Sequence, residues 1–336
     1  MNKCLIYFSI LCGLCLYGCT PSVNLSQNGT ANCYIVSKAG NFRFDASHKG
    51  NSGEPTYSGE YAEVLWESFG TEQTPQHGEL IESASFNNGH IDFTVPKPFR
   101  KGNAVIALKD GSGVILWSWH IWLTDMPKEQ KYSNGAGTMM DRNLGAVSNE
   151  FGHGYGLEYF WGRKDPFLPY RVQATAAFPE GEMTSKETGT IEYSIKNPMT
   201  PIYDGEYEDS FNLGYWEWKR TKDLWGSDKT MYDPCPVGWR VPDASLWIES
   251  LQLKKHRELV YGNNYAEYYD DVRDILDGDS NLYQLYKHQQ DDNIWYPMGT
   301  YWSVSNDLTL QLAGNRATIN PTDPSYKSSI RCQKIE

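Results

Sequence analysis

The sequence predicts a β-sandwich N-terminal domain followed by an α+β domain. Three observations carry this reading. Seven short alternating runs, broken by turn residues, lie between Ala31 and Leu123; long Gly- and Tyr-rich loops with stretches of helical spacing follow Pro127; strand-like pieces return at the end of the chain.

A leader comes first. Lys3 is the only early charge, Cys4 to Tyr17 is apolar, and Gly18 precedes Cys19, the order of an export signal. The apolar run is shorter than the roughly 20 residues of a bilayer-spanning helix, so residues 1–18 are expected to be removed. The Gly18-Cys19 step resembles the lipobox of bacterial lipoproteins, in which the cysteine thiol receives a diacylglyceryl group. Cys12 and Cys15 each follow a leucine, too bulky for the residue before the cut. The resemblance implies lipidation at Cys19 and an outer-membrane, lipid-anchored protein. Residues 19–30 then read as a polar, flexible tether. They lack the acidic cluster that many surface-displayed lipoproteins of Bacteroides-type bacteria carry, which leaves the face of the membrane open.

Residues 31–125 read as an Ig-like β-sandwich. The expected strands are Asn32–Val36, Asn41–Phe44, Ala62–Trp66, Glu79–Phe86, His90–Val95, Ala104–Leu108 and Val114–Leu123, with Asn87-Asn88-Gly89 and Asp110-Gly111-Ser112-Gly113 as hairpin signals. Trp117, Trp119 and Ile121 alternate with Leu116, Ser118 and His120, the pattern of a strand buried on one face.

Residues 126–336 read as the α+β domain. A helix is expected over Asp243–Leu253, where Ala244, Trp247 and Leu251 share a face behind Pro242 and a capping Asp243. A second is expected over Tyr265–Leu276, continuing over Asn281–Gln289. Strands are expected at Gly299–Val304, Leu308–Leu312, Ala317–Ile319 and Ser329–Lys334.

Composition excludes some functions. A net charge of −12 without a basic cluster speaks against nucleic acid, because phosphate binding needs a basic face. The membrane is expected to be met through the lipid alone. With 12 Trp, 23 Tyr and 12 Phe at a mean hydropathy of −0.59, the aromatics suit either a β-rich core or a binding surface.

Three stretches carry a family resemblance. They are Trp117–Pro127 with Met140-Asp141-Arg142-Asn143-Leu144-Gly145; Asp233-Pro234-Cys235-Pro236-Val237-Gly238-Trp239-Arg240-Val241-Pro242-Asp243; and Tyr301-Trp302-Ser303 with Ile330-Arg331-Cys332. Together they resemble the Fibrobacter succinogenes major paralogous domain of secreted and surface proteins in Bacteroidetes, over roughly residues 115 to 334. The resemblance implies a C-type-lectin-like fold used as a binding scaffold. The segment opening at Ala31-Asn32-Cys33-Tyr34 is similar to the β-domain ahead of this module, in some cases fimbrillin-related. The resemblance also places Cys235 and Cys332 at motif positions that meet, which implies a disulfide, with two buried free thiols as the alternative. Cys33 is left over. In a strand it reads as a small buried hydrophobe.

Catalytic signatures are weak. The seven histidines show no H-x-H or H-E-x-x-H spacing, so no metal is expected. Asp277, Asp279 and Asn281 begin like a calcium loop, but Leu282 and His288 stand where it needs glycine and glutamate. Gly152-His153-Gly154-Tyr155-Gly156 reads as a turn. The acid pairs Glu180/Glu182 and Glu206/Glu208 are near neighbours in loops, not the opposed carboxylates of a glycosidase. A formylglycine-generating enzyme, which shares the broader fold, needs a reactive cysteine pair that the expected disulfide consumes.

No cofactor is expected, and the chain is read as non-catalytic. The favoured function is adhesion or recognition of a glycan or surface protein; the alternatives are a structural or tip component of a fimbria-like assembly and, behind it, an enzyme. The expected binding loop holds Asp204, Glu206, Tyr215, Trp216, Trp218 and Trp225, because aromatic faces with carboxylates suit sugar rings. Trp216 and Trp218 also fit the alternation of a buried strand.

Overall fold

The computed structural model describes residues 21–132, 135–149, 156–203, 224–250, 254–260, 263–271, 289–291, 294–296, 298–304, 308–313, 316–322 and 326–336. Strand dominates them. The first half holds β1 (Val23–Asn24), β2 (Cys33–Val36), β3 (Gly40–Asp45), β4 (Tyr61–Ser68), β5 (Ser83–Asn87), β6 (His90–Val95), β7 (Gly102–Lys109) and β8 (Ile115–Leu123). The second half begins with β9 (Glu129–Lys131), β10 (Thr138–Met140), β11 (Glu158–Tyr159), β12 (Glu182–Met183), α1 (Ile191–Lys196), β13 (Ile202–Tyr203), β14 (Trp239–Arg240) and α2 (Ala244–Ser250). It continues through β15 (Lys254–Val260), β16 (Asn263–Asp271), β17 (Gln289–Asp291), β18 (Ile294–Tyr296), β19 (Met298–Trp302), β20 (Leu308–Ala313), β21 (Arg316–Pro321), β22 (Ser328–Ser329) and β23 (Gln333–Lys334).

The first half forms two four-stranded sheets, ordered β1-β3-β6-β5 and β2-β8-β7-β4. Alternation explains how they face one another. On β3 and β6 every second residue is buried (Phe42, Phe44, Ile91, Phe93, Val95), and these meet Ile106, Leu108, Trp117, Trp119 and Ile121 of the other sheet in one apolar cluster.

Three expectations change here. The tether is not free throughout: Val23 and Asn24 pair in parallel with Phe42 and Arg43, and Leu25 packs on the core. The strand expected from Glu79 begins only at Ser83, because Glu67 draws its approach inward. The Glu67 carboxylate is buried and accepts N–H bonds from Gly78 (2.7 Å), Leu80 (2.8 Å) and Ile81 (2.7 Å). β8 is buried on both faces, not one: Ser118, His120 and Trp122 lie as deep as Trp117, Trp119 and Ile121.

The second half covers that other face. Cys33, Trp66, Val105 and Trp122 join Met140, Leu157, Trp161, Trp225, Cys235 and Trp302 in a single buried cluster. The expected boundary at 125/126 therefore divides the sequence but not the core. Polar residues on the covered face are bonded across it, as burial requires. Asn103 Nδ2 donates to the Gly145 carbonyl (2.9 Å), and Trp122 Nε1 to that of Ala146 (3.1 Å). Asn32 Nδ2 donates to the carbonyls of Met231 (2.7 Å) and Asp233 (2.9 Å), while its Oδ1 accepts from Trp117 Nε1. Gly50, at φ +54°, lets the first half approach so closely that a Cβ there would sit 2.4 Å from the Met231 carbonyl oxygen.

The motif around Cys235 is an internal hub. Asp233 accepts from the N–H groups of Cys235 and Val241, both at 2.8 Å, and from Lys229 Nζ at 2.7 Å. Cys235 and Cys332 are bonded, as the resemblance implied, across a separation of 97 residues. A loop of that length contributes about 4 to 5 kcal/mol through chain entropy. Cys33 forms an isolated bridge with Pro236 and carries a free, buried thiol, which burial pushes upward in pKa. It is an inert core residue, as its setting in a strand suggested.

Farther along, β11-β22-β19-β20-β21-β16-β15 form a seven-stranded sheet. Helix α2 fills most of its expected span, with Ala244, Leu246 and Trp247 buried against Tyr301, Leu310 and Ile319. The helix expected from Tyr265 is overturned as far as Asp271, which is strand β16, paired with both β15 and β21. Tyr265, Tyr268 and Tyr269 suit a strand at least as well as a helix, and pairing on two edges decides the matter. Residues 272–288 lie outside the described residues. Strands β19, β20 and β21 match their expected positions to within two residues, whereas the expected strand Ser329–Lys334 is split into β22 and β23.

His120 offers a test of the doubly buried sheet. Its Nε2 lies 2.9 Å from Asn103 Oδ1, and burial depresses its pKa to about 3. Below the ordinary value of 6.5 the unfolded chain takes up a proton that the folded chain refuses, so stability falls as pH falls from there toward 3. Near pH 4.5 this single group withdraws about 2 to 3 kcal/mol. Urea midpoints are expected to fall less steeply between pH 6.5 and 4.5 in His120→Gln than in wild type; equal slopes would refute the assignment.

Candidate functional site

Most of the expected site lies elsewhere in the chain from the described residues: Cys19, Asp204, Glu206, Tyr215, Trp216 and Trp218 are outside them, as is the Asp277-Asp279-Asn281 stretch. Trp225 is described, and it corrects the expectation. It is buried, its ring centroid lies 5.7 Å from that of Trp161, and its Nε1 donates to the Tyr232 carbonyl at 3.0 Å. Its faces are taken up by the shared core and offer no platform to a sugar.

A cleft opens instead beside the first half's second sheet. It has a volume of about 410 Å³, and its walls include Phe167, Leu168, Val172, Ala174, Phe178 and Lys327. The size lies within the range of small-molecule and peptide pockets.

Its floor is built by ring packing. β11 and Phe167 are joined by two backbone bonds, Glu158 N–H to the Phe167 carbonyl (3.0 Å) and Phe167 N–H to the Glu158 carbonyl (2.8 Å). The turn between them passes through Gly162 at φ +79°. Phe167 then meets Phe160 edge-on at 5.0 Å and Phe178 at 6.0 Å, and Phe178 leans on Trp66 of β4 at 5.7 Å. Behind Phe167, the buried Arg163 guanidinium lies 4.9 Å from the ring centroid and donates to the Thr200 carbonyl at 2.8 Å. Burial draws its pKa down to about 10, so it stays cationic and holds the ring through a cation–π contact.

The rim carries charge in balance. Lys327 Nζ lies 3.2 Å from Glu158 Oε2 and also reaches the Leu168 carbonyl at 3.4 Å. Burial raises the Glu158 carboxyl above its ordinary range, and the ammonium opposes that shift. Tyr170 and Tyr326, next to the wall residues Pro169 and Lys327, are 79% and 66% exposed.

The other buried charges are structural. Lys164 Nζ contacts Asp165 Oδ1 and Ser118 Oγ, each at 2.6 Å, and sits 4.5 Å from the Trp117 ring centroid. Burial lowers the amine and Asp165 opposes that. Ser118, Lys164 and Asp165 are all buried. Glu180 and Glu182 are exposed.

No signal for the cleft was visible in composition or spacing, because its walls come from residues 167–169, 172–174 and 176–178 together with the distant Pro201 and Lys327. The one local hint is the small run Ala174-Thr175-Ala176-Ala177 ahead of Phe178, which leaves backbone uncovered. Comparison with family models, curated proteins and solved structures yields no match for this chain.

Proposed function

We propose that the chain is an exported, lipid-anchored recognition protein of the outer membrane, non-catalytic, whose cleft between Phe167 and Phe178 takes a glycan or protein ligand. The lectin-like reading of the second half and its kinship with the major paralogous family belong to this proposal. The observation that carries it is the cleft: an apolar floor of interlocked rings, open to solvent, whose one charged lining residue, Lys327, is paired with Glu158. A general acid, base or nucleophile aimed into it would favour an enzyme, but Glu158 is held by Lys327. The Cys235–Cys332 bond supports the export reading, since disulfides persist in oxidising compartments.

Anchoring is tested at Cys19. Cells fed labelled fatty acid are expected to label the wild-type chain and not Cys19→Ala; equal labelling of both would remove the anchor from the proposal.

For the cleft, residues 20–336 are screened on glycan and surface-protein arrays beside Ala177→Trp, which sets an indole on an exposed wall position. Binding is expected to fall at least about tenfold, the cost of displacing a small buried contact of about 1.4 kcal/mol, with the melting temperature unchanged. Unchanged binding would move the site elsewhere.

A second reading, a component of a fimbria-like assembly, is favoured by one feature. β5 ends its sheet and pairs among the described residues on one edge only, with β6, and such an edge can take a strand from a partner. Light scattering of delipidated protein at rising concentration decides: a monomer throughout counts against assembly.

A further inference from the structure

One cation stands in the cleft wall. Of the lining residues only Gln173 and Lys327 carry polar side-chain groups, and Gln173 Nε2 already donates to the Arg171 carbonyl at 3.2 Å. An ammonium has three donors. Two of those of Lys327 are taken, by Glu158 Oε2 at 3.2 Å and by the Leu168 carbonyl at 3.4 Å, and among the described residues nothing takes the third. Both contacts are longer than the roughly 2.7 to 2.9 Å of a charge-assisted bond, and the side chain is 30% exposed. Lys327 is therefore loosely held, with a donor left for a group that enters the cleft.

Its carboxylate partner yields charge readily. Burial raises the Glu158 carboxyl above its ordinary range, so Glu158 takes up a proton sooner than a solvated glutamate does. The groups around it add no second cation. On β11 its neighbour Tyr159 is buried in the core, β22 brings Ser328 and Ser329, and Phe167 across the turn is apolar. Within the turn, Arg163 is bonded to the Thr200 carbonyl, and Lys164 and Asp165 to each other and to Ser118. A second carboxylate on Lys327 sits beside Glu158, and like charges so placed drive one of the pair to bind a proton. Glu158 is the one already poised to do so.

We infer that the protein ligand of this cleft is held by its C-terminus, with the terminal carboxylate on the Lys327 ammonium and an apolar last side chain on the Phe167–Phe178 floor. The inference rests on the cleft being the recognition site. Charge and floor together select this ligand. A saccharide needs several fixed polar side chains, which the lining lacks, and an internal peptide segment brings no charge to Lys327. A chain end carries a carboxylate and an apolar group on one residue, a combination that proteins recognise in its own right. The open side of the cleft lets the rest of the ligand leave to solvent.

The experiment titrates residues 20–336 with acetyl-Gly-Gly-Phe and acetyl-Gly-Gly-Leu, each as the free acid and as the C-terminal amide. The acids are expected to bind at least about tenfold more tightly than the amides, which lack the charged bond. In Lys327→Met that preference is expected to vanish. Because a proton enters Glu158 as the acid binds, affinity for the acids is expected to rise as pH falls from about 7 to about 5.5, by up to about tenfold per unit. Over that span the terminal carboxyl, which titrates near about 3.5, stays charged. The amides are expected to show no such rise. Glu158→Gln is expected to abolish the pH dependence and to bind the acids more tightly at about pH 7, a gain that a misfolded variant does not mimic.

Equal binding of acid and amide, an unchanged pH dependence in Glu158→Gln, or no binding of either acid overturns the inference. So does 3-phenylpropanoate that binds as tightly as acetyl-Gly-Gly-Phe, which would make the site one for a small free acid. Glycan binding that Ala177→Trp abolishes, without peptide binding, overturns it and leaves the recognition site in place. Array ligands and peptide acids that all bind Ala177→Trp unchanged would overturn both.

Discussion

The second sheet of the first half is buried on both faces, and everything else in the molecule follows from that constraint. A sheet covered on one side can turn its polar residues to water. Here Ser118, His120, Asn103 and Glu67 have lost that option. A buried polar group without a partner costs about 1 to 3 kcal/mol, and more when charged. The second half supplies the Gly145 carbonyl to Asn103 and the Lys164–Asp165 pair to Ser118, while the Glu67 carboxylate is met by amides of its own half and His120 by Asn103. These contacts set which residues of the covering layer can lie over which strand.

The ion pairs inside this layer are weak evidence of stability in themselves, because taking two charges out of water offsets much of their attraction. Their geometry matters more. Lys164 is bonded to Asp165 and Ser118 and lies over the Trp117 ring, so that strand β8 and the turn after Phe160 are held in one relation. That turn carries Arg163, which steadies Phe167 from behind. The floor of the cleft is in this sense an outgrowth of the buried polar layer. The same layer covers the end of β4 with residues 173 to 175.

Much of the first half was legible in the sequence, and the reasons are local. The strand His90–Val95 keeps strict alternation between turn signals, and its observed limits match the expected ones. The start of β5 was misread because Leu80 and Ile81 look like strand residues, while their amides are drawn to Glu67, well away in sequence. Tyr265 to Asp271 was misread because apolar residues beyond Asp271 suggested a helical face. Trp225 looked like a binding platform in a loop rich in aromatics and acids, and no local pattern separates such a residue from one that stacks on Trp161 in a core.

What the sequence determined by itself was periodic or covalent in origin. Alternation with a period of two, hairpin glycines and the helix at Ala244 depend on neighbours a few residues away, and the cysteine pair was implied by the resemblance of the motifs that hold it. Tertiary structure alone decided that the sheet would be covered twice, that residues 263–271 would be strand, and that the amides of Gln173 and Thr175 would bond across to the Thr71 and Glu67 carbonyls. Each of these depends on which distant backbone or side chain satisfies a hydrogen-bonding group removed from water. A chain read residue by residue shows the group but not the partner that folding brings to it.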